Sequence, residues 1–218
     1  MAELDLPLII EVEQLEQHLE HEKLLLVDLS QPTTYVQYHI PHAVFLDYAW
    51  IVRIEQPRLG LLPDPAQLTH VLSAYGLTPD THVVTYDDEG GGRAARFLWT
   101  LEAAGHKRYS LLNGGLRAWA NEGRQISTRI NFPTPGEYQV NMDFSGVATR
   151  QFILDNLSSD EVKLLDTRSP AEYSGKKVFA ARGGHIPGAV NMEWTDAMDT
   201  QHDLRLKSAQ ELQRMLES

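Results

Sequence analysis

Residues 183–194 read GGHIPGAVNMEW, and a related string, YHIPHAVFLDY, occupies residues 38–48. The shared pattern is His-Ile-Pro-x-Ala-Val. A block before it recurs as well, as LLLVDLSQPTTY in the first copy and VKLLDTRSPAEY in the second. A block after it recurs as PAQLTHVL and AQELQRML. Three blocks repeated in the same order predict a tandem duplication.

The first copy alternates short apolar runs with helical patterns. The predicted strands are KLLLVD, AVFL, THVVTY and RYSLL, which suit buried parallel strands. The predicted helices are PTTYVQYH, DPAQLTHVLSAYG, AARFLWTLEAAGH and GGLRAWANEG, with Asp64 as a cap and Gly76 as a stop. This alternation predicts an α/β fold in which a mostly parallel sheet is flanked by helices.

Composition divides the chain into three parts. We expect one domain over residues 1–123 and the N-terminal part of a second over residues 149–218. Residues 124–148 contain two prolines, two glycines and many polar residues, which is typical of a linker. The second copy is expected to begin with a helix, RQFILDNL, and a strand, VKLLD.

Charge and residue content limit the function. The formal net charge is −11 and 42% of the residues are hydrophobic. This favours a protein with a real core that binds neither nucleic acid nor an anionic membrane surface. No apolar run reaches the roughly 18 residues of a membrane span, and the first residues lack the basic start of a secretory signal. A soluble, cytoplasmic protein is expected. The chain contains no cysteine.

The strings DTRSPAEY, GGHIPGAVNMEW and LNGGLRAWANEG resemble the motifs of the rhodanese family, most closely those of its two-domain thiosulfate sulfurtransferases. The resemblance covers nearly the whole chain, and it includes Gly114, Gly115 and Trp119 at the start of the last helix of the first copy. It implies tandem rhodanese-like domains. It also implies an activity that needs no metal and no cofactor, and two small-molecule partners: an anionic sulfur donor and a thiophilic acceptor such as cyanide.

In such enzymes a cysteine follows the third strand, in a loop whose backbone N–H groups point inward. The thiolate takes the outer sulfur of thiosulfate, releases sulfite and holds a persulfide. Asp87, in TYDDEGGGR, stands at this position in the first copy. A carboxylate cannot form a persulfide and would itself be the anion that the loop binds. We therefore expect a non-catalytic first domain.

The second copy is then expected to carry the catalytic cysteine. The position equivalent to Asp87 falls beyond Ser218. We therefore expect the 218 residues to be a fragment of a longer chain and to be inactive in sulfur transfer as they stand.

Two arginines are candidate substrate-binding residues. Arg168 follows Asp166 in DTRS and either reaches an anion site or forms an ion pair with Asp166 or Glu172. Arg182 lies in an inserted segment, SGKKVFAARGGH, whose lysines add positive charge near the expected cleft. The alternative for this segment is a simply solvated loop.

Several other residues that could have been functional are expected to have structural roles. The repeated string begins with a histidine in both copies, His39 in the first and His185 in the second. Because the first copy carries Asp87 in place of a cysteine, we expect each histidine to have a structural role and to bond a neighbouring carbonyl. The stretch DDEGGGR lacks the Gly-Lys-Ser/Thr ending of a phosphate loop, and three consecutive acids rarely converge on one metal. Trp99 and Trp119 are predicted to lie in the core.

Three functions remain open at this point. The first is a sulfurtransferase using thiosulfate or, alternatively, 3-mercaptopyruvate. The second is a non-catalytic tandem module that binds partners. The third, a dual-specificity phosphatase of the same fold, is disfavoured by the tandem arrangement.

Overall fold

The structure is a computed structural model, and it describes residues 4–217. The chain forms two compact units. The first contains the residues up to Gly146 together with Gln201–Arg205, and the second contains Val147–Thr200 and the residues from Leu206 onward.

The first unit is built on a parallel sheet. Its strands are β1 (Ile9–Ile10), β2 (Leu24–Asp28), β3 (Val44–Phe45), β4 (Arg53–Glu55), β5 (Arg58–Leu61), β6 (His82–Tyr86) and β7 (Tyr109–Leu112). Five of them form one sheet in the order β1-β7-β6-β2-β3, and every pair in it is parallel. Strands β4 and β5 form a separate antiparallel hairpin.

Helices cover both faces of this sheet. They are α1 (Val12–Glu16), α2 (Pro32–Gln37), α3 (Pro65–Ala74), α4 (Gly92–Ala103) and α5 (Gly115–Asn121), with a 3₁₀ turn at Tyr48–Ile51. Alternate residues of β6 face opposite sides: Val83 packs into the cluster that contains residues of α3 and α4, and Val84 packs into the cluster with residues of α1 and α5. The predicted α/β class is therefore confirmed.

Local chemistry explains where two helices begin and end. Asp64 caps α3 by accepting a hydrogen bond from the N–H of Gln67 at 2.9 Å, as the sequence predicts. Helix α2 ends at Gln37 and is shorter than predicted, because Tyr38 is extended and His39 pairs with Ser127 as a β-bridge. A contact far along the chain thus overrides the local helical pattern.

The segment predicted to be a linker has no helix or strand in the first unit, but it is not loose. Tyr138 and Val140 are buried in the cluster with α3 and α4. The N–H groups of Asn141 and Asp143 donate to carbonyls at the end of α4 and just after it. The segment is therefore held along the first unit by apolar burial and by main-chain hydrogen bonds.

The second unit is smaller. Its elements are α6 (Arg150–Asp155), β8 (Leu165–Asp166), α7 (Pro170–Tyr173), β9 (Val190–Asn191), a 3₁₀ turn at Trp194–Ala197 and α8 (Ala209–Glu217). Strands β8 and β9 pair in parallel, as β2 and β3 do in the first unit. The predicted strand VKLLD is thus reduced to its last two residues. No helix in residues 4–217 combines the length and the apolar character that a membrane crossing needs.

Candidate functional site

The loop after β6 folds around the carboxylate of Asp87. Its Oδ1 accepts hydrogen bonds from the N–H groups of Glu89 and Gly91, at 3.0 and 2.7 Å. Its Oδ2 accepts from the N–H groups of Arg93 and Ala94, at 2.9 and 3.0 Å. Asp87 is only 1% exposed, so four backbone donors and the start of α4 stabilise a charge that water barely reaches. The carboxylate therefore lies where the loop's inward N–H groups converge, and its role as the anion bound by the loop stays a prediction.

Strand pairing sets the place of this loop. Strands β2 and β6 are in register up to Asp28 and Tyr86, so both end at the same edge of the sheet. The N–H of Leu29 then donates to the carbonyl of Tyr86 at 2.9 Å. Loops at the carboxyl ends of parallel strands are where α/β proteins place their ligand sites.

The Gly-Gly-x-x-x-Trp motif packs directly against the loop. The N–H of Leu116 donates to the backbone carbonyl of Asp87 at 3.0 Å. A β-carbon on Gly115 would stand 2.5 Å from that carbonyl oxygen, and Gly115 has φ of +54°. Only glycine fits this approach. Trp119 is buried and its indole N–H donates to the carbonyl of Gln125 at 2.8 Å.

The three consecutive acids of the loop point to different partners. Asp88 accepts from the N–H of Gln31 and, at 2.6 Å, from the hydroxyl of Thr34. Glu89 pairs with Arg93 at 3.2 Å. Burial raises the pKa of the Glu89 carboxyl, and Arg93 opposes that shift. Across residues 4–217 there is no group of three or more His, Cys, Asp or Glu that could hold a metal ion.

Asp28 is a buried acid in the first copy. Its Oδ1 accepts from the N–H of Ser30 at 2.7 Å. Its Oδ2 has no hydrogen-bond partner among the described residues. Burial raises the pKa of Asp28, and the nearby hydroxyls of Ser30 and Tyr86 offset this only in part.

The equivalent acid in the second copy, Asp166, forms an ion pair with an arginine. Arg168, aligned with Ser30 by the duplication, donates from Nε to Asp166 Oδ1 at 2.9 Å and from Nη2 to Oδ2 at 2.5 Å. The same Nη2 also donates to the carbonyl of Gly184 at 2.9 Å. The hydrogen bond from Arg168 lowers the pKa of Asp166. The ion pair with Asp166 is thus one of the two roles expected for Arg168.

Arg168 and Arg182 line the same cleft of the second unit. The cleft has a volume of about 830 Å³, and its other lining residues include Asp166, Phe152 and His185. Arg182 is exposed. The structure therefore brings the two predicted substrate-binding arginines to one cleft, and their role there stays a prediction. In the inserted segment, the ammonium of Lys177 lies 4.7 Å from the ring centroid of Phe179.

Both histidines of the repeated string bond neighbouring carbonyls, as predicted. His39 Nδ1 lies 2.6 Å from the carbonyl of Tyr35, and His185 Nδ1 lies 2.8 Å from the carbonyl of Tyr173. Each imidazole stacks on the ring of the same tyrosine, at 4.0 and 3.7 Å between centroids. The sequence aligned these tyrosines but gave no sign of the stacking, because the distance in the chain differs between the copies.

One core prediction is wrong. Trp119 is buried, but Trp99 is partly exposed and lies under the guanidinium of Arg96, 4.9 Å from the ring centroid. A cation on an aromatic face needs no full burial of the ring.

Comparison with known proteins places these features in a family. The model of the rhodanese-like domain matches residues 11–122 and 149–217. A thiosulfate sulfurtransferase of Azotobacter vinelandii is 43% identical over 203 residues, which are 93% of this chain and 75% of that protein. A 3-mercaptopyruvate sulfurtransferase of Mus musculus is 34% identical over 182 residues, which are 81% of this chain and 61% of that protein.

One solved structure has a fold similar to that of this chain. It is SseA of Escherichia coli, a 3-mercaptopyruvate sulfotransferase, with a TM-score of 0.83 and 24% sequence identity. The match covers 96% of this chain and 82% of that chain. At this identity the likeness concerns the fold alone.

Proposed function

The chain belongs to the rhodanese family, and we propose that it serves in sulfur transfer from thiosulfate to a thiophilic acceptor such as cyanide, through a cysteine persulfide. The sulfurtransferase of A. vinelandii, 43% identical, supports this choice of donor. The 218 residues contain no cysteine. The thiol that this chemistry requires therefore has to come from outside them, and the 218-residue chain is inactive in this reaction by itself.

The chemistry consists of two displacements on sulfur. A cysteine thiolate attacks the outer sulfur of thiosulfate, the sulfur–sulfur bond breaks, and sulfite leaves with the bonding electron pair. Cyanide then attacks the sulfane sulfur, thiocyanate departs, and the thiolate is restored. Both steps pass through anionic species that inward backbone N–H groups stabilise.

The observation that carries the proposal is the set of four N–H groups around Asp87. This arrangement is an anion cradle, and in the first copy the protein occupies it with its own carboxylate. We assign residues 1–123 to a non-catalytic domain, residues 124–148 to the linker and residues 149–218 to a domain of the catalytic type. A cysteine in the corresponding loop of the second copy would meet the same donors.

Arg168 and Arg182 are the proposed contacts for the anionic donor, because both line one cleft in an otherwise acidic protein. The guanidinium of Arg168 is oriented by Asp166 and by the carbonyl of Gly184. In a cysteine-bearing form of the protein, Arg182→Ala should raise the KM for thiosulfate and leave kcat nearly unchanged. Lys177→Ala is the matched control. An equal rise in KM for both variants would mean that Arg182 attracts anions only through its charge and does not contact the donor.

Thiocyanate formation tests the activity. We expect none with the purified 218-residue protein in thiosulfate and cyanide. Any longer product of the same gene that carries a cysteine should turn over and should lose activity after iodoacetamide treatment. Turnover by the cysteine-free protein, or none by a cysteine-bearing product, would refute the proposal.

Two alternatives have specific support. The mouse relative named for 3-mercaptopyruvate favours that donor, and a comparison of kcat/KM for the two donors decides between them. The filled cradle at Asp87 and the absence of cysteine favour a non-catalytic binding module. A cysteine-bearing gene product that binds thiosulfate without any turnover would support the module.

The cellular compartment of the protein is part of the same proposal. A net charge of −11 disfavours nucleic acid and anionic membrane surfaces as partners. We assign the protein to the cytoplasm, and cell fractionation with an antibody tests this assignment. Recovery in the membrane or periplasmic fraction would contradict it.

A further inference from the structure

A single side-chain amide holds the turn that carries Arg168. Asn191 lies in β9 and is paired directly with Asp166 of β8. Its amide nitrogen donates to the backbone carbonyl of Asp166 at 2.8 Å and to that of Arg168 at 2.9 Å. One side chain therefore bridges the two residues that flank Thr167, and it fixes the direction of the main chain at Arg168.

Arg168 is held at its main chain and at its guanidinium. Its N–H donates to Asp166 Oδ1 at 3.1 Å. Its guanidinium bonds both oxygens of that carboxylate and also the carbonyl of Gly184. A bidentate pair of arginine and carboxylate requires two parallel hydrogen bonds in one plane, so a rotation of the main chain disrupts it. The grip of Asn191 on the Arg168 carbonyl therefore helps to set the direction of the guanidinium.

The first copy replaces both partners of this contact. Phe45 occupies the position of Asn191 in the strand pairing, and Ser30 occupies the position of Arg168. A phenyl ring has no donor for the carbonyls of the turn. The amide and the arginine thus occur together in one copy and are replaced together in the other. This indicates that the amide serves the arginine rather than the fold that both copies share.

Arg168 lines the cleft of the second unit together with Arg182, whereas Asn191 is not among the described residues that line it. We propose that Asn191 is a positioning residue for anion binding, which holds the turn so that the Arg168 guanidinium faces the cleft in a fixed direction. It acts through Arg168 and does not touch the donor. Its effect on the donor rests on the proposed sulfur transfer, whereas its effect on Arg168 can be measured in the 218 residues alone.

The main chain around the turn has hydrogen bonds of its own. The N–H of Met192 donates to the carbonyl of Asp166 at 3.1 Å, and the N–H of Trp194 donates to that of Thr167 at 3.0 Å. Neither bond uses the Asn191 side chain. A substitution of Asn191 should therefore loosen the end of the turn while the strand pair persists.

NMR of the intact 218-residue protein tests the geometry. The Nε–H of Arg168 donates to Asp166, which protects its hydrogen from exchange with water. Asn191→Leu should speed this exchange about fivefold, and Asn191→Ser, whose hydroxyl has one hydrogen to donate, should speed it less. Asn156→Leu is the matched control and should leave it unchanged, because Asn156 also donates from its amide to a carbonyl of the second unit.

The pattern of change separates positioning from general stability. A loss of positioning should be confined to Arg168, whereas a loss of structure would speed exchange equally at the backbone amides of β8 and β9 and would overturn the proposal. Because the hydrogen bond from Arg168 lowers the pKa of Asp166, that pKa should rise in the Asn191 variants. Unchanged exchange at Arg168 would also overturn the proposal, and Asn191→Ser decides where leucine prevents folding.

Kinetics of a cysteine-bearing form of the protein test the consequence for the donor. Asn191→Leu should raise the KM for thiosulfate about fivefold and change kcat by less than about twofold, as expected when only substrate binding is weakened. Adding Arg168→Ala should give the KM of Arg168→Ala alone, because Asn191 acts through that arginine. An unchanged KM for Asn191→Leu beside a raised KM for Arg168→Ala would overturn the proposal. No turnover at all would refute the sulfur transfer instead, and the exchange rate of Arg168 would then decide the role of Asn191.

Discussion

The N–H of Gly91 lies 2.7 Å from Oδ1 of Asp87, and this short hydrogen bond closes the loop between β6 and α4. The chain thereby satisfies with its own carboxylate a set of donors that would otherwise hold an external anion. A carboxylate that is buried and hydrogen-bonded on both oxygens stabilises the loop, and under the proposed function it also takes the place of a bound anion.

Asp87→Asn should lower the free energy of unfolding by about 3 kcal/mol, because the new amide nitrogen would face two N–H donors that it cannot satisfy. Urea unfolding of the two proteins measures the difference. Asp88→Asn is the control in the same loop, since Asp88 is only partly buried, and it should cost about 1 kcal/mol or less. Equal losses for the two variants would contradict the cradle.

Asp87→Cys should place a thiol among the same four donors. Backbone N–H groups and a helix start favour the thiolate, so the pKa of this cysteine should lie below the ordinary value of about 8.5. Ultraviolet absorbance of the thiolate as a function of pH measures the shift without depending on access by a reagent. Asp88→Cys provides the matched thiol outside the cradle. Identical titration curves would show that the donors do not act on the thiol.

Asp28 and Asp166 should respond to pH in opposite directions. The pKa of Asp28 is raised in the folded state, chiefly by burial, so the folded protein holds this proton more tightly than the unfolded chain. Its favourable contribution is complete below the unfolded value of about 3.8 and is lost as the pH rises through the folded pKa. Asp28→Asn should therefore gain stability over the natural protein as the pH rises from about 4 to about 7.

The pKa of Asp166 is lowered by Arg168, so its contribution is present above the unfolded value and is lost as the pH falls through the folded pKa. Asp166→Asn should lower stability at neutral pH by about 1 kcal/mol or less, because Arg168 is half exposed. Urea unfolding across the pH range, followed by tryptophan fluorescence, measures both variants. A stability loss for Asp28→Asn at neutral pH would contradict the conclusion that burial raises the pKa of Asp28.

Gly115→Ala should lower stability by about 3 kcal/mol, because its β-carbon would meet the Asp87 carbonyl and its φ is positive. Gly123→Ala is the matched control. Gly123 has φ of +69° with no atom near the added carbon, so only the backbone term of about 1 kcal/mol should appear. Thermal or urea unfolding distinguishes the two, and similar losses would mean that the contact with Asp87 relaxes at little cost.

Much of the first unit follows from local patterns. The apolar run that ends at Asp28 and the buried strand before Asp87 are found where the sequence predicts them, since short apolar stretches between helical patterns have few other buried forms. Short elements escape this reasoning. Strand β1 has only two residues, and the hairpin Arg53–Leu61 is largely exposed, so neither leaves a clear periodic pattern.

For the candidate site, the sequence by itself determined the duplication, the fold class and the presence of an acid where the family places its nucleophile, because these depend on residue identity and order. Only the tertiary structure decided that four N–H groups converge on Asp87, that Arg168 pairs with Asp166 whereas no described cation pairs with Asp28, and that Ser127–Asn131 covers His39. Some of these contacts join residues that lie far apart in the chain, and others depend on where backbone N–H groups point. The identity of the side chains in a sequence reveals neither the long-range contacts nor the direction of the N–H groups.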